Sequence, residues 1–384
     1  MGRHGGCAKY LVVLFVTLIL LPETSSTNSE ASTSNLKVLG TSSSSILNKR
    51  NGIFDNDYYD VAASPQGPLP RRTHGDAPWT QAKSSYQSKI GCPLGLKYMR
   101  NGIVLLVPGT GGSAREIYES SPYYQGLPAH RFDLCWVDLP NHSMSDMQLS
   151  AEFIAYAIQF LAPKSRGGKI NIISFSQGGS DVQWAASFWP SIRSLVTGFV
   201  AIAPPMKGTL STYLICPISK LFGGCFPSVL QQTAGSHFME VATTLRDTSS
   251  PAYALLPTTI IYSLNDEVVT PQFGPNASSR LIGASNIGIQ EICGAWHVLD
   301  HFFTVADIGV YGVALDALVN GRPATPSTID RSYCTRTAES LGFQIGNLGN
   351  DLKQAFRTVI GAQRGDMIRF QLRNLLIPAE PYLQ

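Results

Sequence analysis

Asn171-Ile-Ile-Ser-Phe-Ser176-Gln-Gly-Gly is an apolar, β-branched run that ends in a serine and two glycines. A helical pattern follows at once, from Gln177 through Trp189. Strand, tight turn and helix in that order form the setting of a nucleophile elbow, which lifts a serine hydroxyl clear of a sheet edge. The turn forces its serine into a strained backbone conformation, and strand and helix approach so closely that only small neighbours fit. Gly178 is one such neighbour. Ser174 stands where the motif usually has glycine, and S-x-S-x-G alone also fits an ordinary strand-to-helix loop. The weight of the motif therefore rests on the remainder of the chain.

Outward from this stretch, short apolar runs alternate with helical patterns. Ile103–Val107, Leu134–Val137, Gly198–Ala203, Thr259–Ser263 and Ile287–Ile292 read as strands, together with Ile170–Phe175. Leu149, Phe153, Tyr156, Ala157, Phe160 and Leu161 recur at helical spacing, and so do Leu341, Ile345, Leu348, Leu352, Phe356 and Val359. Such alternation implies βα units and a mostly parallel sheet. A run such as IVLLV, apolar on both faces, suits a strand covered by helices on both sides. No internal repeat is visible.

The 384 residues carry 29 Lys and Arg against 26 Asp and Glu, a near-balance that gives no electrostatic case for nucleic acid. At 44% apolar the chain can build a large core, which excludes a wholly disordered one. Residues 1–27 read as a secretory signal: Arg3 and Lys9 precede the apolar run Leu11–Leu21, far shorter than the roughly 20 residues a membrane span needs. Residues 28–50, rich in Ser, Thr and Asn and ending in the dibasic pair Lys49-Arg50, read as a pro-segment, with Arg71-Arg72 a second candidate for processing. Residues 51–90 read as an irregular lead-in, and 91–384 as a single catalytic domain. Beyond Cys7 in the signal there are six cysteines, Cys92, Cys135, Cys216, Cys225, Cys293 and Cys334, with no C-x-x-C pair to suggest zinc or thiol redox chemistry. Six cysteines allow about 15 pairings, which spacing alone cannot sort. Asn141-His-Ser and Asn276-Ala-Ser are glycosylation sequons, consistent with a secreted, extracellular protein.

Support for the elbow comes from chain order. In this architecture a serine nucleophile is followed by an acid and then a histidine. Only His237, His297 and His301 follow Ser176. Asp266 closes the run Thr259-Ile-Ile-Tyr-Ser-Leu-Asn-Asp266, just past a strand end, which leaves His297 and His301 as bases. His301, at a loop-to-helix boundary, fits best, with His297 a neighbouring pocket residue. Glu267 or Asp300 is the alternative acid. The three residue types are complementary: histidine takes the serine proton, and a carboxylate fixes the imidazole tautomer and stabilises its charged form. An oxyanion needs donors, which the Gln177 backbone N–H and the loop Pro108-Gly-Thr110-Gly-Gly can supply. That loop lacks the G-K-[ST] ending of a phosphate loop. These features define the expected fold class, α/β: an α/β-hydrolase fold with a mostly parallel central sheet covered by helices on both faces.

Long stretches then become recognisable: LLVPGTG (105–111), SQGGSDVQWAASFWPSIRS (176–194), APPMKGT (203–209), LQQTAGS (230–236), PTTIIYSLNDEVVTPQ (257–272) and ICGAWHVLDH (292–301). From about Cys92 to Cys334 the chain resembles the fungal secreted lipase family of Candida antarctica lipase B. The resemblance implies Ser176 as nucleophile, Asp266 as acid and His301 as general base. Thr110, through backbone and hydroxyl, and the Gln177 backbone become the oxyanion hole. Phe175, Gly112, Pro205, Val268 and His297 map onto the substrate pocket. Cys92–Cys135 and Cys293–Cys334 map onto family disulfides, and a local Cys216–Cys225 bridge is the simplest expectation for the inserted segment Leu210–Phe226. Phe175 replaces a tryptophan, Gly112 a threonine, and Pro205 an aspartate beside the acyl pocket.

The function expected from this reading is triacylglycerol lipase activity through an acyl-enzyme, with a lipid ester substrate, no cofactor, no metal and a monomeric enzyme. Leu214, Ile215, Ile218 and Leu221 form an expected rim toward a lipid surface. Two alternatives stand beside it: a carboxylesterase or acyltransferase using shorter or non-lipid esters, and a catalytically dead hydrolase fold used for binding.

Overall fold

The strands draw their burial from two directions. Ile103, Leu105 and Val107 enter one apolar layer, while Val104 and Leu106 enter the other. Ile170 and Ile172 follow the first set, Ile173 and Phe175 the second. Because successive side chains of a strand point to opposite faces, an unbroken apolar run fills both layers at once.

The computed structural model describes residues 75–213, 216, 225–244 and 250–362, with backbone alone over 356–362. The signal and pro-segment readings, both dibasic pairs, the expected rim residues Leu214, Ile215, Ile218 and Leu221, and the chain from 363 lie outside the described residues.

The described chain opens with helix α1 (Lys83–Ser88) and strand β1 (Ile90–Gly91), followed by β2 (Ile103–Val107) and β3 (Asp133–Val137). Then come α2 (Met147–Leu161), β4 (Ile170–Phe175), α3 (Gln177–Phe188) and β5 (Val196–Ile202). The last part holds β6 (Thr258–Tyr262), β7 (Ser285–Gly288), α4 (Ile289–Cys293), α5 (Ile308–Asn320) and α6 (Leu348–Ala362). The sheet has seven strands in the order β1-β3-β2-β4-β5-β6-β7. All neighbours are parallel except β1, which pairs antiparallel with β3. Helices α2 and α3 line one apolar layer and α5 the other. This is the α/β-hydrolase arrangement expected from the sequence.

The strand order fixes where a site can form. From β2 the chain steps outward to β3, whereas from β4 it steps the other way to β5. The loops leaving the carboxyl ends of β2 and β4 therefore diverge and leave a crevice between them. Pro108–Gly112 leaves β2 and Ser176 leaves β4, so both border that crevice.

Three elements differ from the sequence reading. The run Ile287–Ile292 is not one strand: β7 stops at Gly288 and α4 begins at Ile289. Ile289 and Ile292, three apart, both reach the α5 layer, which a helix allows and a strand does not. The C-terminal helix starts at Leu348 and excludes Leu341 and Ile345, because Gly342 (φ +75°) and Gly346 (φ +58°) adopt left-handed conformations. Residues 75–90, within the stretch read as irregular, carry α1 and the first residue of β1 and pack on α2. Glu152 of α2, almost fully buried, accepts hydrogen bonds from the Thr80 backbone N–H, from Thr80 Oγ1 at 2.7 Å and from the Tyr86 hydroxyl. Trp79 stacks on Trp189 at 5.7 Å, and Tyr86 on Tyr156 at 4.6 Å.

Three disulfides are present: Cys92–Cys135, Cys216–Cys225 and Cys293–Cys334. The first ties the segment after β1 to β3, and the third ties the end of α4 to the turn Arg331–Thr335.

Candidate active site

Ser176 is the hinge between β4 and α3, with φ +52° and ψ −129°. A side chain resists positive φ, at a cost of order 1–3 kcal/mol, so the surroundings must impose it. The Ser176 N–H donates to Ile202 O at 2.8 Å, and Gly179 N–H returns to Ser176 O at 2.9 Å. A Cβ at Gly178 would stand 2.4 Å from Pro108 O, and one at Gly179 would stand 2.5 Å from Pro204 Cβ. The two glycines are thus demanded by the close passage of the β2 and β5 loops. Ser174, at the first motif position, is fully buried beside this glycine, its Oγ 3.4 Å from where a Cβ at Gly179 would stand.

The buried Ser176, Asp266 and His301 converge at this edge of the sheet. His301 Nε2 lies 3.0 Å from Ser176 Oγ, and His301 Nδ1 lies 2.7 Å from Asp266 Oδ2. Asp266 Oδ1 accepts the backbone N–H groups of Val268 and Val269 at 2.9 and 2.7 Å, which fixes the carboxylate. Burial works to lower the His301 pKa, but the charge and hydrogen bond of Asp266, with Glu267 and Asp300 beyond, raise it above the ordinary histidine value.

The alternative acids have other partners. Glu267 Oε2 accepts the backbone N–H of His301 at 3.1 Å, and burial, then Asp266 and Asp300, push its carboxyl upward. Asp300 caps the turn after His301 by accepting from Phe302 and Phe303 N–H, and pairs with Lys353 Nζ of α6 at 2.8 Å. The ring of His297 turns to Asp307, the N-cap of α5, at 3.1 Å, and that hydrogen bond raises its pKa. No hydrogen bond joins it to Ser176 or Asp266 among the described residues.

Thr110 faces Gln177 across the crevice, its Oγ1 donating to Gln177 Oε1 at 2.6 Å. Gln177 opens α3, where backbone N–H groups have no acceptor within the helix and the dipole favours negative charge. Gly109 permits the approach of the two loops, since a Cβ there would stand 2.9 Å from Ser176 Cβ. The Phe175 ring lies 5.1 Å from that of His301. Gly112 is buried, with Ile117 filling the space a side chain would take. Pro205 is buried and its carbonyl accepts from Ser180 Oγ of α3. Val268 O accepts from Thr209 and Ser211 hydroxyls, which fastens the β5 loop to the Asp266 turn. Asn141 is buried and its amide donates to Ser145 Oγ at 2.6 Å, whereas Asn276 is exposed. No cluster of metal-ligating side chains occurs among the described residues.

Sequence reasoning missed Gln232, Asp181 and Gln290. Gln232 Nε2 donates to both Thr110 Oγ1 and Gln177 Oε1 at 3.0 Å. Gln290 Nε2 donates to His297 O, bracing the loop ahead of His301. Only Asp181 carried a signal, as a carboxylate within an otherwise buried helix.

Sheet order, elbow and crevice define an α/β-hydrolase. Beyond the class, the chain is 34% identical over 263 residues to lipase B of Pseudozyma antarctica, covering 67% of this chain and 73% of that protein. The crystal structure of Aspergillus fumigatus lipase B superposes with a TM-score of 0.67 at 32% identity, covering 83% of this chain and 77% of that one. No family model matches the chain. The chain belongs to the lipase B family and is a carboxylic ester hydrolase.

Proposed function

We propose that this protein is a secreted triacylglycerol lipase acting through a Ser176–His301–Asp266 triad and an acyl-enzyme intermediate. The observation that carries the reading is the continuous relay from Ser176 Oγ through the His301 ring to Asp266 Oδ2, at 3.0 and 2.7 Å. Ser176 Oγ attacks the ester carbonyl carbon while His301 Nε2 takes the hydroxyl proton. The carbonyl oxygen becomes an oxyanion, held by the Gln177 backbone N–H and by Thr110. Collapse of the tetrahedral species expels the alkoxide, which takes the proton from His301 and leaves as alcohol. Water then repeats the cycle on the acyl-enzyme, releases the fatty acid and restores the serine. Asp266 holds the imidazole tautomer and stays ionised throughout.

Secretion after removal of residues 1–27 is supported by the three disulfides, which persist in oxidising compartments, and processing near residue 50 rests on the dibasic pair Lys49-Arg50. The exposed Asn276 is the glycan acceptor in this reading, while the hydrogen-bonded amide of Asn141 stays bare in the folded chain.

The test is hydrolysis of p-nitrophenyl esters from acetate to palmitate by the wild type and by Ser176→Ala. Activity reaching long chains and falling by about five to six orders of magnitude in the variant is expected. Activity confined to short chains moves the enzyme to the soluble carboxylesterases, and an undiminished variant removes Ser176 from the mechanism.

A further inference from the structure

Asp181 lies in the interior of α3 at 0% exposure, on a helix buried along its length. A carboxyl in such a place costs several kcal/mol unless it is neutral or fully bonded. Burial pushes its titration well above the usual carboxylate range, with the nearby Asp146 adding to the shift. Its Oδ2 accepts from Gln177 Nε2 at 3.1 Å, while Oδ1 has no hydrogen-bond partner among the described residues. Packing alone would favour an apolar residue here, so the carboxyl needs another account.

From Asp181 a polar chain runs to the mouth of the crevice. Gln177 Oε1 accepts from the Thr110 hydroxyl at 2.6 Å and from Gln232 Nε2 at 3.0 Å. Gln232 Nε2 also reaches Thr110 Oγ1 at 3.0 Å and Ser228 O at 3.2 Å. A threonine hydroxyl has one hydrogen. While Gln177 Oε1 holds that hydrogen, Thr110 cannot give it to a substrate oxygen. If the Gln177 amide turns, Nε2 donates to Thr110 Oγ1 and the hydroxyl hydrogen is released toward the crevice. Gln232 Nε2 then gives up Gln177 and moves off it, keeping its hydrogen bonds to Thr110 Oγ1 and Ser228 O. A neutral carboxyl can face either end of the amide, accepting from Nε2 through one oxygen or donating to Oε1 through its O–H.

We infer that Asp181 is a positioning residue for the oxyanion hole: through the Gln177 amide it sets the direction of the Thr110 hydroxyl. The inference rests on the reading of Thr110 as an oxyanion donor, and the experiment separates the two.

The full-length chain and its Asp181→Val, Asp181→Asn, Thr110→Val, Gln177→Met and Asp181→Val/Thr110→Val variants are assayed on p-nitrophenyl butyrate, with kcat and KM resolved. Thr110→Val is expected to lower kcat about 100-fold, the usual scale for loss of one oxyanion donor. Asp181→Val lowers kcat about tenfold with KM within about twofold, because the loss is confined to the transition state. Asp181→Asn, which keeps one donor and one acceptor, restores kcat to within about threefold of wild type. In the Thr110→Val background Asp181→Val adds less than about twofold, since the two act through one hydroxyl. Gln177→Met keeps the backbone N–H and breaks the relay; it reproduces the Asp181→Val loss and decides the question if Asp181→Val does not fold. The inference is overturned if Asp181→Val and Gln177→Met keep wild-type kcat, if Asp181→Asn falls as far as Asp181→Val, or if the Asp181→Val loss is undiminished beside Thr110→Val. An unaffected Thr110→Val overturns the donor assignment itself, and the inference with it.

Discussion

At the scale of single residues, the chemistry of this site depends on how much negative charge surrounds one imidazole. Burial would drive His301 toward its neutral form, yet Asp266 foremost, with Glu267 and Asp300, carries its pKa above the ordinary value. A protonated imidazole cannot accept the serine proton, so a raised pKa delays activity to higher pH: activity is low below it and grows as pH rises through it. Glu267→Gln removes one negative neighbour and keeps an oxygen for the His301 backbone N–H. The acid limb of kcat/KM is expected to move to lower pH by a few tenths to about one unit, with the plateau little changed. Profiles over about pH 4–9 check this, and an unmoved limb would remove Glu267 from the charge balance. The same crowding explains why the acid was ambiguous in the sequence. Asp266, Glu267 and Asp300 all lie around His301, and only hydrogen-bond geometry shows that Asp266 alone bonds its ring.

At the scale of elements, what was legible depended on whether a segment's length, composition or period set it apart from its neighbours. Ile103–Val107 and Ile170–Phe175 are strands buried on both sides, short and β-branched between turn residues, so the pattern announced them. Helix α5 went unread because it is buried on nearly every face and has no polar side to set a period. The contacts of Gln232 were unreadable for another reason: they join residues from separate elements, and nothing local marks them. The strap formed by residues 75–89 belongs to the same class, held to α2 by Glu152 through Thr80 and Tyr86. Hydrogen bonds to a buried carboxyl contribute about 1.5–3 kcal/mol when charged, and orphaned buried donors cost as much again. Glu152→Ala is therefore expected to cost about 2–4 kcal/mol of stability. Cleavage near residue 80 in limited proteolysis should appear before global unfolding, with the kcat of the uncleaved protein unchanged. A Tm within a degree or two of wild type, with no new cleavage, would mean the strap is held by its aromatic stacking instead.

At the scale of the whole molecule, the carboxyl edge of the sheet presents apolar side chains to solvent. The loops after β5 and β6, and the loop that follows β7 through the short helix α4, emerge at this edge, on the side where Ser176 leaves β4. They expose Leu210 and Tyr213, Leu264, and Trp296 with Val298, respectively. Trp296 is 96% exposed and Val298 66%, on the same loop that carries His301. The apolar ring of an exposed tryptophan, with its polar N–H, suits the boundary between lipid and water. Gln290 and the His297–Asp307 pair hold that loop from behind, so the ring projects from a braced segment. An enzyme whose esters reside in a droplet must partition to its surface before catalysis begins, and apolar area turned toward that surface lowers the free energy of adsorption by about 25 cal/mol per Å² buried. Trp296→Asp removes that area and adds a charge that resists transfer, without touching Ser176, Asp266 or His301. Hydrolysis of a triacylglycerol emulsion is expected to fall about tenfold, in line with a loss of somewhat over 1 kcal/mol in adsorption, while kcat on a soluble short-chain ester stays within about twofold. Sedimentation with the emulsion should show the variant left in the aqueous phase. Equal losses on both substrates would assign Trp296 to the pocket, and no loss on either would leave the ring without a role at the interface.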